Sequence, residues 1–221
     1  MKRELIVWGT GGAARVVADI VRLGNAFRIV GFLDEAKPEP AGETFCDIPI
    51  LGGEGALQRI LDSGVQDIVV AIGDNPTRAE RAAQASKVGF QSATLVHPSA
   101  SVAEGVPVGD GTVVKAMAVV EPGATVGANV ILGAHSYVGH DVVVEDAAHI
   151  SSGGRVAGRS VVAREAWIGV GATVRDGVRV GVGAQIGAGA VVLGDVPEGV
   201  VATGNPAEQR WRSGVFGSAD Q

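Results

Sequence analysis

Three of the four histidines in the 221-residue chain lie close together, at His135, His140 and His149. Asp141 directly follows His140. A carboxylate beside an imidazole holds the ring in one tautomer and increases its basicity, so that the ring accepts a proton near neutral pH. His140 and Asp141 are therefore the candidate general base and its acidic partner. From residue types alone, a solvated surface histidine explains each of the three equally well.

A glycine loop is the second candidate site. Gly9, Gly11 and Gly12 follow a strand predicted over residues 3–9 and precede a helix predicted over 13–23. Such glycines let the backbone approach a phosphate, and a helix N-terminus offers free N–H groups. Asp34 ends the next predicted strand, 27–34, where a carboxylate would contact a ribose or a base. The loop predicts a nucleotide ligand, with a tight packing turn as the alternative.

Strands and helices alternate through the first 90 residues. A helix is predicted over 55–63, a third strand over 67–73 and a helix over 75–88. This alternation predicts a small α/β domain with a parallel sheet, which corresponds to half of a Rossmann fold. Since it is too short for two mononucleotide-binding halves, a nucleotide-sugar is a better candidate ligand than NAD.

The rest of the chain carries an aliphatic residue at every sixth position. A period of six fits neither a helix nor a plain strand, and it predicts a β-solenoid with three short sides per coil of eighteen residues. The seventeen members are Val96, Val102, Val108, Val114, Val120, Val126, Leu132, Val138, Val144, Ile150, Val156, Val162, Ile168, Val174, Val180, Ile186 and Val192. We predict domains over residues 1–92 and 93–203, with a cap and tail over 204–221.

Composition excludes several classes of protein. The formal net charge of −6 and the pI of about 5.2 favour neither a nucleic-acid partner nor binding to an anionic membrane. The single cysteine, Cys46, excludes an intramolecular disulfide and suits a reducing compartment, so we expect a cytoplasmic protein. No apolar run approaches the roughly 20 residues of a membrane span.

Several motifs together resemble one family along nearly the full chain. They are GTGG, FLDE, PILGG, VVAIGDN, LVHPSA, VGHDVVVEDAAHIS, WIGVGATV and TGNPA, in this order. The chain resembles the hexapeptide-repeat sugar O-/N-acyltransferases, which include sialic acid O-acetyltransferase-like proteins and bacterial N-acetyltransferases of nucleotide-linked 4-amino sugars, such as the perosamine and bacillosamine-pathway enzymes. This resemblance implies a left-handed parallel β-helix, acetyl-CoA as co-substrate, no metal, and a homotrimer with the active site between subunits.

The resemblance also implies a role for individual residues. His140 and Asp141 match the catalytic base and its acidic partner. The residues that match acetyl-CoA contacts are His149, Gly158, Val170 and Ala188. The residues that match the nucleotide-sugar pocket are Gly11, Gly12, Ala13, Asp34, Glu35 and Gly73. Relatives often have histidine where this chain has Ala13, a departure that concerns the substrate.

The expected activity is acetyl transfer from acetyl-CoA to the 4-amino group of a UDP- or GDP-linked amino-dideoxy sugar. The main alternative is O-acetylation of a sugar such as sialic acid. A zinc-dependent β-helix enzyme with His135 and His140 as ligands is a remote alternative, because zinc needs a third protein ligand. A non-catalytic solenoid is another, and the pair of His140 and Asp141 argues against it.

Overall fold

The structure is a computed structural model that describes residues 2–37, 39–40 and 42–211. The N-terminal elements are β1 (Arg3–Trp8), α1 (Gly12–Leu23), β2 (Phe27–Leu33), β3 (Thr44–Phe45), β4 (Ile48–Pro49), a 3₁₀ turn (Glu54–Ala56), α2 (Leu57–Asp62), β5 (Asp67–Val70), α3 (Asn75–Val88) and β6 (Gln91–Ser92). Within these described ranges, no helix combines the length and the apolar character needed to cross a membrane.

The N-terminal sheet is parallel, with strand order β2-β1-β5-β6. The small α/β domain expected from the alternating pattern is therefore confirmed. The third strand ends at Val70 rather than Gly73, because the chain turns into a loop before α3. There the Asp74 side chain accepts a hydrogen bond from the Thr77 N–H (3.0 Å) and caps the helix. The β3–β4 hairpin was not predicted.

The repeats form a solenoid of about six turns. A first sheet contains β7 (Leu95–Val96), β9 (Val113–Val114), β12 (Ile131–Leu132), β15 (His149–Ile150), β18 (Trp167–Ile168), β21 (Gln185–Ile186), β23 (Val200–Thr203) and β24 (Glu208–Trp211). A second contains β8 (Ser101–Val102), β10 (Val119–Val120), β13 (Tyr137–Val138), β16 (Arg155–Val156), β19 (Thr173–Val174) and β22 (Val191–Val192). A third contains β11 (Thr125–Val126), β14 (Val143–Val144), β17 (Val161–Val162) and β20 (Arg179–Val180).

The aliphatic residues of the repeat fill the interior of this three-sided prism. From Val114 to Val192 every member of the series is buried in one cluster, and alanines such as Ala148 and Ala166 pack beside them. Val96, the first member, is instead 44% exposed, so the expectation of seventeen inward residues is wrong at that end. The reason is that Val96 lies on an edge strand, with no coil beyond it to complete the interior.

Fifteen successive corners of the prism each contain one residue in the left-handed backbone conformation. These fifteen residues also follow the six-residue period, from Gly105 to Gly189. Eight are glycine, for which this conformation carries little steric cost. The other seven are Met117, Asn129, His135, Asp141, Ala147, Arg159 and Glu165. Asp141, the predicted acidic partner, therefore occupies a corner, which points its carboxylate away from the hydrophobic interior.

Two residues of α3 join the domains. Arg78 is almost completely buried and donates hydrogen bonds to the carbonyls of Asn129 and Ala147 in the solenoid, each at 2.8 Å. The same guanidinium donates to the Ile72 and Gly73 carbonyls, at 3.0 and 3.1 Å. Asn75 donates to the Glu165 carbonyl (2.9 Å). The loop between β5 and α3 is thereby fixed against the corner between the third and first sheets.

The C-terminal end of the solenoid is closed by a hairpin. β24 pairs with β23 in antiparallel orientation, whereas the coils pair in parallel. The last coil is two residues shorter than the others, since Val180 pairs with Val196 and Gln185 with Val201. Of the predicted cap and tail over 204–221, residues 212–221 lie outside the described part.

Candidate functional site

His140 and Asp141 form a hydrogen-bonded pair at the corner between the second and third sheets. The ring Nδ1 lies 2.9 Å from Asp141 Oδ2. A carboxylate only accepts hydrogen bonds, so Nδ1 carries the proton and Nε2 is the free acceptor. Both side chains are at least half exposed, at 50% and 62%. The pair can thus present an unprotonated nitrogen to a ligand from outside the prism.

Glycines in the neighbouring coils make room for both side chains. A Cβ atom on Gly158 would lie only 2.5 Å from His140 Nε2 and 2.6 Å from Cε1, so the imidazole packs directly on the Gly158 backbone. A Cβ on Gly123 would collide with the Asp141 carboxylate in the same way. The expectation that His140 lies one coil from Gly158 is confirmed by this contact.

Glu121 and Tyr137 extend this cluster, and neither was predicted. Glu121 Oε2 accepts a hydrogen bond from the backbone N–H of His140 (3.0 Å). A hydrogen bond with Glu121 raises the pKa of the Tyr137 hydroxyl, with smaller contributions from burial and the charge of Glu121. Glu121 lies nineteen residues before His140, one coil away and shifted by one position. Knowledge of the coil length could have drawn attention to it.

His149 lies on the first sheet, under the N-terminal domain. Its backbone pairs with Trp167 in the next coil, as the eighteen-residue spacing predicts, and the two ring centroids are 6.5 Å apart. Burial, together with the smaller effect of the charges of Arg78 and Lys115, lowers the pKa of His149 to about 3, and a backbone hydrogen bond with Gly73 opposes the change. His149 is therefore a neutral ring at physiological pH, suited to accept or donate hydrogen bonds but not to act as a base.

A cleft of about 740 Å³ opens between α3 and the solenoid beside His149. The loop from Gly73 to Asn75 forms one wall, and His149 and Trp167 form part of the other. It is large enough for a sugar or part of a coenzyme. Gly73, predicted to contact the nucleotide sugar, and His149, predicted to contact acetyl-CoA, are thus brought together.

The glycine loop lies at the carboxyl end of β1. Gly11 and Gly12 are exposed, and a Cβ atom on either would meet nothing within 4 Å. The Thr10 hydroxyl donates to Asp34 Oδ2 (2.6 Å), which ties the loop to the end of β2. The loop therefore leaves backbone N–H groups open at the N-terminus of α1, with Asp34 beside them.

The two remaining residues of the predicted pocket differ in their surroundings. Ala13 is half-buried in the first turn of α1. Glu35 Oε1 accepts hydrogen bonds from Trp8 Nε1 and from the Glu54 N–H, each at 3.0 Å. These bonds give Glu35 a structural role at the end of β2, and a contact between Glu35 and substrate stays a prediction.

The predicted residues lie along three different edges of the prism. His140 and Gly158 occupy the corner between the second and third sheets, and Gly73 packs near the corner between the third and first sheets. Val170 and Ala188 follow strands of the first sheet at the remaining corner. They lie one coil apart, since the Gly189 N–H donates to the Val170 carbonyl (2.8 Å), and Val170 is 56% exposed. Because the edges of a prism point in different directions, one chain does not bring all these residues to one place.

A metal site requires several donor side chains grouped together. In the described part of the chain, no three or more His, Cys, Asp or Glu side chains are grouped so that they could hold a metal ion. His135 is exposed at a corner of its own.

Comparison with known proteins agrees with this architecture. Residues 4–85 match the family model described as the PglD N-terminal domain. The whole chain is similar to a variant of perosamine N-acetyltransferase from Caulobacter crescentus, solved in complex with CoA and GDP-perosamine. That structure is 31% identical, with 95% of this chain and 97% of that chain covered and a TM-score of 0.90.

Two further structures are similar over the same length. The acetyltransferase domain of PglB from Neisseria gonorrhoeae, solved with acetyl coenzyme A, is 35% identical, covers 94% of this chain and 99% of its own, and has a TM-score of 0.87. WeeI from Acinetobacter baumannii is 24% identical with a TM-score of 0.79, covers 95% of this chain and 100% of its own, and supports the fold alone. No curated protein matches the chain.

The chain belongs to the hexapeptide-repeat sugar acyltransferase family. Its solenoid is accordingly the left-handed parallel β-helix that the resemblance implied. It is an acyltransferase, and its close relatives are sugar N-acetyltransferases.

Proposed function

We propose that this protein transfers the acetyl group of acetyl-CoA to the 4-amino group of a UDP- or GDP-linked amino-dideoxy sugar. The observation that carries the proposal is the His140–Asp141 pair, with Nδ1 bonded to the carboxylate and Nε2 free beside the Gly158 backbone. The relative from Caulobacter crescentus binds CoA and GDP-perosamine, and the PglB domain binds acetyl coenzyme A. Sequence identity of 31–35% over nearly the whole length supports the same class of reaction here.

The nucleotide sugar binds in the N-terminal domain. Its diphosphate lies near Gly11 and Gly12, where the first N–H groups of α1 are open to an anion. Asp34 contacts the ribose or the base, and Gly73 contributes the opposite side of the pocket. Ala13 leaves more space in this loop than a histidine would, which affects which sugar nucleotide is preferred.

The chemical step is direct attack of the amine on the thioester. A sugar ammonium must lose a proton before it attacks, and His140 Nε2 accepts that proton. Asp141 selects the tautomer of the neutral ring in which Nε2 is the acceptor, and orients the ring through the 2.9 Å bond. The negative charge that develops on the thioester oxygen is stabilised by the Gly158 N–H, which meets no hydrogen-bond acceptor among the described residues. The proton finally passes to the CoA thiolate, and no covalent enzyme intermediate forms.

The complete site forms between subunits of a homotrimer. His140 and the cleft beside His149 lie on different edges of one prism, and a second prism can bring its His140 corner to that cleft. Closed cyclic symmetry gives every subunit the same pair of contacts. In this arrangement Val170, Ala188 and His149 line the path of the pantetheine arm.

The test is a thiol-release assay with acetyl-CoA and a panel of UDP- and GDP-linked 4-amino-4,6-dideoxy sugars. Wild type is compared with His140→Ala and with His135→Asn as a matched control, since asparagine tolerates the left-handed backbone found at His135. We expect turnover with one sugar, a loss on the order of 10²- to 10⁴-fold in His140→Ala, and full activity in His135→Asn.

Other outcomes would change the assignment. Thiol release only with a hydroxylated sugar or sialic acid would show O-acetylation. Loss of activity in both histidine variants, together with bound zinc, would favour the metal-dependent alternative. Binding of acetyl-CoA without turnover of any sugar would refute the proposed acceptor.

A further inference from the structure

The N-terminal sheet has a crevice where its strand order reverses. From β1 the chain continues to β2 on one side, whereas β5 lies on the other side of β1. Ligands of open parallel sheets bind at such a reversal, outside the carboxyl ends of the strands. Here the two loops touch, because a Cβ on Gly9 would lie 2.8 Å from the Ala71 carbonyl oxygen. Gly11 and Gly73 border the space above this contact, and both are exposed.

The solenoid covers one side of this crevice. Ala14, in the first turn of α1, packs in the same apolar cluster as Leu95 and Val113 of the first sheet. The loop after β5 is bonded through Arg78 to the solenoid backbone at Asn129. Both loops of the crevice are thus held against the coils that contain Val113 and Asn129, which makes side chains from these coils potential ligands.

Lys115 follows Val113 on the same coil. Side chains two residues apart project from the same face of a strand, and Val113 faces the N-terminal domain. Lys115 is half-buried, and its ammonium group forms no hydrogen bond or ion pair within residues 2–37, 39–40 and 42–211. Burial lowers the pKa of Lys115, and the positive charge of Arg78 lowers it further. The Lys115 ammonium therefore lies near the positive charge of Arg78 and has no negatively charged partner among the described residues.

The equivalent positions in the other coils carry no charge of this kind. Five of the six residues that directly follow an aliphatic residue of the six-residue series in the first sheet are small or uncharged, and Lys115 is the exception. The six are His97, Lys115, Gly133, Ser151, Gly169 and Gly187. A lysine at this position is therefore not required to form a coil, since the other coils of the first sheet lack it.

We propose that Lys115 binds the diphosphate of the nucleotide sugar, so that the solenoid contributes a cation to the crevice between β1 and β5. This inference rests on the proposed function. The α1 N-terminus provides N–H groups on one side of the diphosphate, and Lys115 provides a point charge on the other. The bound anion supplies the negative partner that the ammonium lacks in the free protein, and substrate binding thereby bridges the two domains.

Calorimetric titration of nucleotides tests this role. Wild type, Lys115→Met and Lys115→Arg are titrated with UDP, GDP, uridine, guanosine and CoA, with Lys87→Met as a control on the exposed end of α3. We expect Lys115→Met to weaken binding of the preferred nucleoside diphosphate on the order of 10- to 100-fold, which is the usual contribution of a charged hydrogen bond. Affinity for the nucleoside and for CoA stays unchanged, and Lys115→Arg retains most of the diphosphate affinity.

A second measurement uses the lysine itself. Reductive methylation should modify Lys115 in the free protein and leave it unmodified when the nucleoside diphosphate is bound, as read by peptide mass spectrometry.

Equal diphosphate affinity in wild type and Lys115→Met overturns the proposal while leaving the proposed function intact. A loss of CoA affinity in place of diphosphate affinity also overturns it, because the anion would then belong to the coenzyme. If wild type binds CoA but neither UDP nor GDP, the proposed nucleotide-sugar substrate is refuted together with the role of Lys115.

Discussion

The position of the His140 ring depends on a residue that has no side chain. The imidazole packs on Gly158, where a Cβ would approach three ring atoms to between 2.5 and 2.9 Å. Real Cβ atoms do not approach so closely, and the exposed ring is free to rotate away from the solenoid. The position of the proposed general base thus depends on two coils, and the sequence of either coil alone does not show it.

Replacement of Gly158 by alanine should therefore impair catalysis without unfolding the protein. We expect kcat for the proposed transfer to fall about tenfold or more, because a small displacement of a general base has a large effect on proton transfer. The matched control is Gly194→Ala, since a Cβ there meets nothing within 4 Å. Equal kcat in both variants, measured by thiol release, would show that the ring position on Gly158 is unimportant.

His149 should stay neutral over the whole pH range in which the enzyme works. Its folded-state pKa of about 3 lies below the ordinary value of 6.5. Between these two pH values the unfolded chain therefore binds a proton at His149 that the folded chain does not bind. Stability from this residue is present above pH 6.5 and is lost as the pH falls toward 3. Urea denaturation of His149→Gln should accordingly show a smaller loss of stability between about pH 7 and about pH 5 than wild type.

A control for this pH effect is the exposed histidine variant His135→Asn, which should show the same change in stability with pH as wild type because asparagine tolerates the backbone at this position. NMR provides the direct check, because the His149 imidazole shifts should remain those of a neutral ring down to about pH 5. A transition of these shifts near the ordinary value of 6.5 would contradict the burial seen here.

For individual residues, the sequence predicted which side chains form the candidate site better than it predicted their surroundings. The adjacency of His140 and Asp141 predicts their hydrogen bond, and the coil length predicts Gly158 beside His140 and Trp167 beside His149. The low pKa of His149 was not predictable, because it arises from a domain that packs over the first sheet. Glu121 was missed for a similar reason, since its contact with the His140 backbone crosses between coils.

Among the elements, α3 has the largest influence on the site. Its buried Arg78 binds carbonyls from the β5–α3 loop and from two coils, and burial lowers the pKa of this residue to about 10. The charges of the Asp74 and Glu165 carboxylates oppose that lowering of the pKa. Arg78 thus helps to determine how the loop between β5 and α3 is placed relative to His149.

Removal of the Arg78 guanidinium should lower the stability of the folded protein. Arg78→Ala leaves several buried carbonyls without donors, and we expect the free energy of unfolding to fall by about 3 kcal/mol or more. The matched control is Arg22→Ala, whose partner Asp19 is half exposed, and which should change it by about 0.5 kcal/mol or less. Denaturant titration of the two variants measures the difference. Similar values would mean that the Arg78 bonds contribute nothing beyond those of a surface ion pair.

Element boundaries were predicted with varying success. The expected helix over 75–88 coincides with α3, because Asp74 and Pro76 mark its start and Gly89 its end. The β3–β4 hairpin was missed, since its strands contain only two residues each and leave no periodic signal. The buried position of Arg78 was not predicted either, because an arginine within a polar, alanine-rich helix usually faces solvent.

In the whole molecule, His140 and the cleft beside His149 lie on different edges of the prism. Mixed trimers can test whether the two histidines act together across a subunit interface. If His140 of one subunit acts beside His149 of its neighbour, a trimer of His140→Ala and His149→Ala chains can contain sites with both histidines. Unfolding and refolding an equal mixture of the two inactive variants should restore up to about a quarter of wild-type activity, as expected for random assembly in a cyclic oligomer.

The pure variants, refolded separately, are the controls and should remain inactive. Light scattering on the refolded mixture should show a mass of three 22.3 kDa chains. Persistent inactivity of a correctly assembled mixture would show that both histidines act within one subunit. The repeat could predict the prism but not this arrangement, because outward residues of a solenoid carry no signal for the face that a second copy covers.

The left-handed corners have a consequence for the heat resistance of this enzyme. Met117 occupies such a corner with φ 59°, and its side chain is 52% exposed. Met117→Gly should raise the free energy of unfolding by about 0.5–1 kcal/mol, the strain relieved less the extra entropy of glycine. Gly105→Ala, in the equivalent position of another corner, should lower it by about 1 kcal/mol. Apart from Asp141, which the proposed mechanism uses, and Asn129, whose residue type tolerates this backbone, the corners without glycine are positions at which substitution by glycine should give a more thermostable variant.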